Sequence, residues 1–207
     1  MSDKFSKPWD ERYSNEEYVY GVEPNKYLQQ QINKFPSGKI LFAAEGEGRN
    51  AVYAATLGWD VHAFDISTEG RKKALELARC NNATINYSVG ELPELDYYPE
   101  SFDAIALIYA HFPAQIKSQY HQLLHTYLKK DGLIIFEGFS KNHLTYKKEN
   151  PKVGGPNDLD MLFSVEEIKN DFSNYAIIEL EETAIQLHEG LFHNGTGSVI
   201  RFTGKKK

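Results

Sequence analysis

A glycine-containing segment near the start of the chain has residue types that suit a nucleoside ligand. It reads Gly46-Glu-Gly-Arg-Asn-Ala51 and follows the apolar run Lys39-Ile-Leu-Phe-Ala-Ala44, while Asp65 ends the next apolar run, 19 residues after Gly46. Glycines permit a tight turn and a close ligand approach, and a carboxylate ending the second strand can accept hydrogen bonds from both ribose hydroxyls. The segment matches the dinucleotide fingerprint, which is weak evidence alone, and predicts a site for an adenosine-containing ligand.

The charge of this loop bears on which adenosine ligand it binds. Glu45 and Glu47 would place two carboxylates beside a pyrophosphate, whereas S-adenosylmethionine has no phosphate and carries an ammonium and a sulfonium. The loop therefore favours S-adenosylmethionine. The alternative is that both glutamates are solvated charges at the start of a helix, where the helix dipole stabilises them.

The segments around this loop alternate between strand and helix patterns. Strands are predicted at Lys39–Ala44, Asp60–Asp65, Thr84–Val89, Phe102–Tyr109 and Gly132–Phe139, and helices at Pro24–Lys34, Asn50–Leu57, Thr68–Asn81, Pro113–Leu128 and Ser164–Phe172. This alternation predicts an α/β fold with a doubly wound, mostly parallel sheet. The strands Ala176–Thr183 and Ser198–Thr203 have no helix between them, so we expect a C-terminal antiparallel pair. The polar stretch Lys141–Asp160 is predicted to be a loop.

Composition and charge limit the class of protein. With 207 residues, 41% of them hydrophobic, we expect one globular domain over residues 1–207. A formal charge of −6, with Lys205-Lys-Lys207 as the one basic cluster, argues against a nucleic-acid partner. The single cysteine, Cys80, and the absence of zinc-ligand spacing predict neither a disulfide nor a metal site. Lacking a signal peptide or a membrane-length apolar run, the protein is expected to be cytoplasmic with no membrane partner, as a monomer or weak dimer.

Several segments resemble a known enzyme family. Ile40–Ala55 is similar to the first motif of class I S-adenosylmethionine-dependent methyltransferases, especially the tellurite-resistance and thiopurine methyltransferase-like group. Trp9-Asp-Glu-Arg-Tyr13 and Tyr20-Gly-Val-Glu-Pro-Asn25 resemble the N-terminal lid of that group, so residues 1–23 are expected to be a lid or, alternatively, an aromatic segment packed on the core. Phe64-Asp-Ile-Ser67 resembles its second motif, and Ser101-Phe-Asp-Ala-Ile105 its fourth strand. The resemblance implies a Rossmann-like seven-stranded sheet, S-adenosylmethionine as cofactor, and methyl transfer to a small molecule through a soft sulfur, selenium or tellurium nucleophile.

The same resemblance assigns roles to individual residues. It implies that the cofactor lies beside Gly46 and Gly48 in the loop and that Asp65 binds the ribose. After the second and third strands, the adenine would contact Ile66, Glu91 and Leu92. Tyr20 and Asn25 would be the lid residues that close over the donor. Ile66 and Leu92 also suit ordinary core positions.

The first motif departs from the family pattern at two positions. Phe42 replaces the usual acidic residue of the first strand, and Ala44 replaces the first of the three usual glycines. Ala44 would narrow the methionine pocket, and the loss of the strand acid leaves Glu45 or Glu47 as its substitute. These departures keep open a non-catalytic protein that binds an adenosyl ligand, and the fingerprint match keeps open an NAD-dependent oxidoreductase.

The reaction itself requires few catalytic groups, because methyl transfer is an in-line displacement at a carbon that the sulfonium has already activated. His111 follows the fourth strand, at the carboxyl edge where α/β proteins bind ligands, and it either deprotonates the acceptor or lines the pocket. His188 and His193 lie before the last strand, where they either shape the acceptor site or face solvent.

Overall fold

The computed structural model describes residues 3–207, and the side chains from residue 6 onward. Seven strands form one sheet in the order β3-β2-β1-β4-β5-β7-β6. The strands are β1 Lys39–Ala43, β2 Asp60–Asp65, β3 Asn86–Val89, β4 Phe102–Ile108, β5 Leu128–Phe139, β6 Tyr175–Glu189 and β7 His193–Lys206. The helices are α1 Asp3–Tyr13, α2 Lys26–Ile32, α3 Arg49–Thr56, α4 Thr68–Cys80, α5 Lys117–Tyr127, α6 His143–Glu149 and α7 Val165–Asp171.

Strands β1 to β5 are parallel, and β7 pairs antiparallel with both β5 and β6. The strand order reverses between β1 and β4, which is the position where open α/β sheets form a crevice for ligands. The sequence-based fold class is therefore confirmed. The predicted bounds of β1 to β5 and of α2 to α5 agree with the observed bounds to within four residues.

Burial explains why the central strands were recognisable. In β1, Ile40 and Phe42 point into one apolar cluster, while Leu41 and Ala43 point into a second cluster on the opposite face of the sheet. A strand covered by helices on both faces needs apolar residues at every position, which gives the continuous apolar run seen in the sequence. Phe42 is only 1% exposed, so the residue that replaces the usual strand acid is a core side chain.

Two segments differ from their predicted structure. The supposed connection between Thr183 and Ser198 is strand, because β6 and β7 pair without interruption up to Glu189 opposite His193. Most β6 side chains are at least partly exposed at the sheet edge, so the hairpin has no apolar alternation to mark it in the sequence. The predicted loop Lys141–Asp160 contains α6 and a short 3₁₀ turn. The buried His143, at the start of α6, holds the chain after this turn through a hydrogen bond between its Nε2 and the carbonyl oxygen of Gly154.

The N-terminal segment packs against the glycine loop and α4. Asp10 Oδ1 accepts hydrogen bonds from the Ser67 hydroxyl at 2.6 Å and from the Glu69 N–H at 3.1 Å, both at the start of α4. Carboxylates are favoured at helix N-termini because the first N–H groups have no partner within the helix. Among the described helices, none is long and apolar enough to cross a membrane.

Gly48 is predicted to be essential to the fold of the loop. Its φ is +86°, and a Cβ there would lie 2.5 Å from the Ala74 Cβ in α4. Gly58 has the same φ of +86° with no atom within 4 Å of the added Cβ, so it provides a matched control. We expect Gly58→Ala to lower the free energy of unfolding by about 1–2 kcal/mol, and Gly48→Ala by about 1–3 kcal/mol more.

Urea unfolding of the two variants measures this difference. An equal loss of unfolding free energy in Gly48→Ala and Gly58→Ala would show that the close approach to α4 contributes nothing beyond the backbone strain.

Candidate functional site

A cavity of about 650 Å³ opens at the carboxyl ends of the parallel strands, at the point where the strand order reverses. Its walls come from the N-terminal segment, the glycine loop, the ends of β2 to β5, the start of β7 and the stretch 155–161. Its lining residues include Trp9, Arg12, Tyr13, Tyr20, Ala44, Glu45, Glu47, Asp65, Ile66, Glu91, Leu92, Tyr109, His111, Phe139, Met161 and His193. This volume is within the usual range for a small-molecule site.

Asp65 is held rigidly at the end of β2. Its Oδ1 accepts a hydrogen bond from the Ser67 N–H at 2.9 Å, and its Oδ2 accepts one from the Gly46 N–H at 3.0 Å. Burial raises the pKa of Asp65 to about 6, against the opposing effect of these backbone bonds. A carboxylate has about four acceptor positions, so each oxygen can still accept another hydrogen bond. Two oxygens in fixed positions suit the two hydroxyls of a ribose.

The glutamates of the loop bind groups of the protein itself. Glu45 Oε1 accepts the N–H groups of Asn50 at 2.8 Å and Ala51 at 2.7 Å, in the first turn of α3. Burial is the main cause that raises the pKa of Glu45 to about 7. Glu47 accepts the Val19 N–H at 2.8 Å and forms an ion pair with Lys73 at 2.7 Å.

These contacts correct part of the charge argument made from the sequence. Glu45 and Glu47 are buried, so neither is the solvated charge of the alternative interpretation. Glu45 does occupy a helix N-terminus, as that alternative supposed, and Glu47 fastens the N-terminal segment. Both also line the cavity, so they still contribute negative charge to its wall.

Ala44 adopts the backbone of the glycine that it replaces in the family pattern. Its φ is +52°, in the left-handed region that glycine enters without strain, and its side chain lines the cavity. An alanine in this conformation is strained by roughly 1–2 kcal/mol. Strained backbone of this kind concentrates at binding and catalytic sites.

The residues expected at the cofactor fall into two groups. Glu45, Asp65, Ile66, Glu91, Leu92 and Tyr20 line the cavity. Gly46, Gly48 and Asn25 are not among its lining residues, since Gly46 packs beneath the Tyr13 hydroxyl and Gly48 caps α3 against Ala74.

Asn25 lies behind the cavity wall. Its Oδ1 accepts the Leu28 N–H at the start of α2, and its Nδ2 donates to Glu137 Oε1 at 2.7 Å. Glu137 is 1% exposed and also accepts hydrogen bonds from Tyr109 and Arg201. Asn25 therefore supports the site from a buried polar cluster and does not itself line the cavity.

His111 is unsuited to act as a base in this geometry. Its Nδ1 bonds the carbonyl oxygen of Met161 at 3.0 Å, so Nδ1 carries the hydrogen, and its Nε2 accepts the Phe139 N–H at 3.2 Å. Burial lowers the pKa of His111 to about 3. His111 therefore lines the cavity with both ring nitrogens occupied by the backbone, which fits the second of its two expected roles.

The structure brings Arg49 and His193 to the cavity wall, with Glu189 paired to both of them. His193 Nδ1 lies 2.8 Å from Glu189 Oε2, and Arg49 Nη2 lies 3.0 Å from the same oxygen. His193 is only 4% exposed and lines the cavity, so it is not the solvent-facing loop residue of the alternative interpretation. Glu189 and His193 pair across a three-residue turn, which Gly190 allows with a φ of +59°. In the sequence, the spacing of Glu189, Gly190 and His193 was the available signal for this turn.

Comparison with known proteins agrees with this geometry. Residues 40–132, which run from β1 into β5, match a family model described as a methyltransferase domain. This region contains the glycine loop, Asp65 and the carboxyl ends of β1 to β4. No curated protein sequence matches the chain.

Solved structures share the fold over most of the chain. One, from work on conversion of a disulfide bond into a thioacetal group during echinomycin biosynthesis, has a TM-score of 0.78 and 16% identity and covers 100% of this chain and 92% of its own. TehB from Haemophilus influenzae has a TM-score of 0.71 and 17% identity over 100% and 67% of the two chains. Magnesium protoporphyrin IX methyltransferase from Synechocystis with bound S-adenosylhomocysteine has a TM-score of 0.65 and 15% identity over 87% and 80%.

At these identities the solved structures establish the fold, while the family model identifies the domain. The matched region contains the glycine loop and Asp65, which the Gly46 N–H joins by a hydrogen bond. Residues 40–132 are therefore a methyltransferase domain, on a fold that the chain shares with S-adenosylmethionine-dependent methyltransferases of known structure.

Proposed function

We propose that the protein methylates a small molecule that carries a thiol or a similarly soft nucleophile, and that it is related to the tellurite-resistance and thiopurine methyltransferase-like group. The observation that carries this proposal is a single cavity with two unlike ends. Asp65 and Glu91 line it beyond β2 and β3, whereas Tyr20, Tyr109 and Phe139 line it beside β4, β5 and β7. Donor and acceptor would then meet in one enclosed space.

The donor end fits the chemistry of S-adenosylmethionine. Asp65 presents two fixed oxygens for the ribose hydroxyls, and the apolar side chains of Ile66 and Leu92 are available to the adenine ring. Glu91 offers an acceptor for the adenine amine, and the acidic wall at Glu45 suits a positively charged ligand. When bound, S-adenosylmethionine supplies a methyl group activated by its sulfonium, and the protein aligns the partners and excludes water.

The acceptor end is rich in aromatic surface. Tyr20, Tyr109 and Phe139 surround the ring of His193 at centroid distances of 4.6, 4.8 and 5.2 Å. Polarisable sulfur makes favourable contacts with aromatic rings, which supports a soft nucleophile over a hard one. The structure described for conversion of a disulfide into a thioacetal concerns sulfur chemistry on the same fold, which is consistent with this choice.

The N-terminal segment, residues 1–23, is proposed to be a lid over the donor. Of its described part, Trp9, Tyr13 and Tyr20 line the cavity. The segment is joined to the rest of the protein by hydrogen bonds to α4, the glycine loop and α3, among them those that involve Asp10, the Val19 N–H and Arg49. Residues 1 and 2 lie outside the described part of the chain. Its aromatic side chains cover the cavity, as those of a segment that opens to admit ligand would do.

Cofactor binding is predicted to depend on Asp65. Asp65→Ala removes hydrogen bonds from a charged acceptor, each worth roughly 1.5–3 kcal/mol, so the affinity for S-adenosylhomocysteine should fall at least about tenfold. Asp60→Ala is the matched control, because Asp60 is an exposed residue at the opposite end of the same strand. Calorimetry should also show much weaker binding of NAD to the wild type.

Two outcomes would contradict this assignment. Equal affinity in folded Asp65→Ala and Asp60→Ala would place the ribose elsewhere, and a preference for NAD would favour an oxidoreductase.

The acceptor proposal predicts a difference between matched nucleophiles. With S-adenosylmethionine, the wild type should convert 2-mercaptoethanol to its methyl thioether and leave ethylene glycol unmethylated, because a thiol ionises far more readily than an alcohol. Mass spectrometry of the products measures both. Methylation of the alcohol, or of neither compound, would reject a thiol acceptor, and binding without turnover over a broad acceptor panel would indicate a non-catalytic protein.

The lid proposal predicts protection of residues 9–25 by ligand. Amide hydrogen exchange in this segment should slow when S-adenosylmethionine binds, because the bound donor would hold the segment closed. Helix α7 lines no part of the cavity and serves as the internal reference. Unchanged exchange in residues 9–25 at proven saturation would show that the segment is not a lid.

A further inference from the structure

His193 begins β7 and is oriented by a partly buried carboxylate. Its Nδ1 lies 2.8 Å from Glu189 Oε2, so this nitrogen donates its hydrogen to the carboxylate. Arg49 Nη2 donates to the same oxygen at 3.0 Å. Although burial opposes the charged form, Arg49 and His193 lower the pKa of Glu189 to about 2. Glu189 therefore remains a carboxylate and fixes the tautomer of the imidazole.

The second ring nitrogen of His193 is free. Within residues 3–207, nothing hydrogen-bonds to Nε2, and this atom is not one of the buried polar atoms that lack a partner. His193 lines the cavity, and its ring lies among those of Tyr20, Tyr109 and Phe139, with Nε2 beside Gly154. The contrast with His111 is direct, since the backbone occupies both nitrogens of that residue.

We propose that His193 is the proton acceptor of the reaction and that Glu189 is its positioning residue; this inference rests on the proposed thiol acceptor. The acceptor sulfur forms a bond to the methyl carbon as the bond from that carbon to the sulfonium breaks, and the bonding pair stays on the donor sulfur. The proton of the acceptor thiol moves to Nε2 of His193. Glu189 stabilises the resulting imidazolium, in the manner of a carboxylate–histidine pair.

The charges around His193 favour its neutral form at rest. Burial lowers the pKa of His193 from its usual value, and the positive charges of Arg49 and Arg12 lower it further, against the opposing effect of Glu189. Two other imidazoles, His111 and His143, are near enough to interact with it, and burial lowers the pKa of both. His193 is therefore neutral near pH 7. Its Nε2 becomes protonated only as the pH falls through the pKa of His193.

The wild type alone provides the first test. If only preformed thiolate reacted, kcat/KM for 2-mercaptoethanol would fall about tenfold per pH unit below the thiol pKa. With His193 as base, kcat/KM should instead form a plateau that extends from that pKa down to the pKa of His193. A steady tenfold fall per unit across this range would overturn the proposal.

Variants then assign the plateau to His193. In His193→Gln the plateau should vanish for 2-mercaptoethanol, whereas 4-nitrothiophenol, already a thiolate at neutral pH, should lose less than about threefold. Glu189→Gln should also weaken the plateau of kcat/KM for 2-mercaptoethanol. His188→Gln is the control, because His188 is an exposed neighbour of Glu189 and does not line the cavity. Equal slowing of both thiols in His193→Gln would indicate a structural role and overturn the proposal.

A spectroscopic readout separates this inference from the proposed function. Nitrogen NMR of histidine-labelled wild type at pH 7 should show His193 as the neutral tautomer protonated on Nδ1, and Glu189→Gln should change that tautomer balance. A His193 protonated on Nε2 would overturn the inference, even if thiols are methylated. If the wild type methylates neither thiol, the proposed function fails while the tautomer measurement still decides the orientation of His193.

Discussion

The arrangement of the site depends on the hydrogen bonds that the carboxylate of Glu137 accepts. It is buried in β5 and accepts hydrogen bonds from Asn25 at 2.7 Å, Tyr109 at 3.0 Å and Arg201 at 2.7 Å. These donors come from the start of α2, the end of β4 and the middle of β7. A buried charge is tolerated only when it is well paired, so loss of one donor would leave an unsatisfied carboxylate beneath the cavity. This requirement fixes three separate parts of the chain around the carboxyl end of β5.

A second carboxylate extends the network to the opposite wall. Glu189 binds Arg49 and His193, and Asn25 Nδ2 lies 3.4 Å from it, which connects it with Glu137. Arg49 also donates to the carbonyl oxygens of Tyr20 and Glu23, so the helix after the glycine loop holds the N-terminal segment as well. The donor end and the acceptor end of the cavity are thus braced by one continuous set of buried polar groups.

The parts of the molecule that were predictable from the sequence are those whose signals are local. The buried parallel strands gave continuous apolar runs, and Asp65 was identifiable because its distance from the glycine loop follows from one strand–helix–strand unit. The role of His111 was not predictable, because its partners Phe139 and Met161 are 28 and 50 residues away. The sequence left His193 open between the acceptor site and solvent, because its position depends on hairpin register at an exposed sheet edge, where polar side chains on both faces conceal the strand.

The hairpin of β6 and β7 also places part of the cavity wall outside the region that the family model matches. The matched region ends at residue 132, before the hairpin begins at Tyr175, yet β7 brings His193 to the cavity wall, with Glu189 paired to it across the turn. The tip of the turn is exposed at Leu191 and Phe192, whereas Gly190 packs against the backbone of Val19 and Tyr20. A chain that shares the matched domain need not share this wall of the cavity, because the hairpin lies outside residues 40–132.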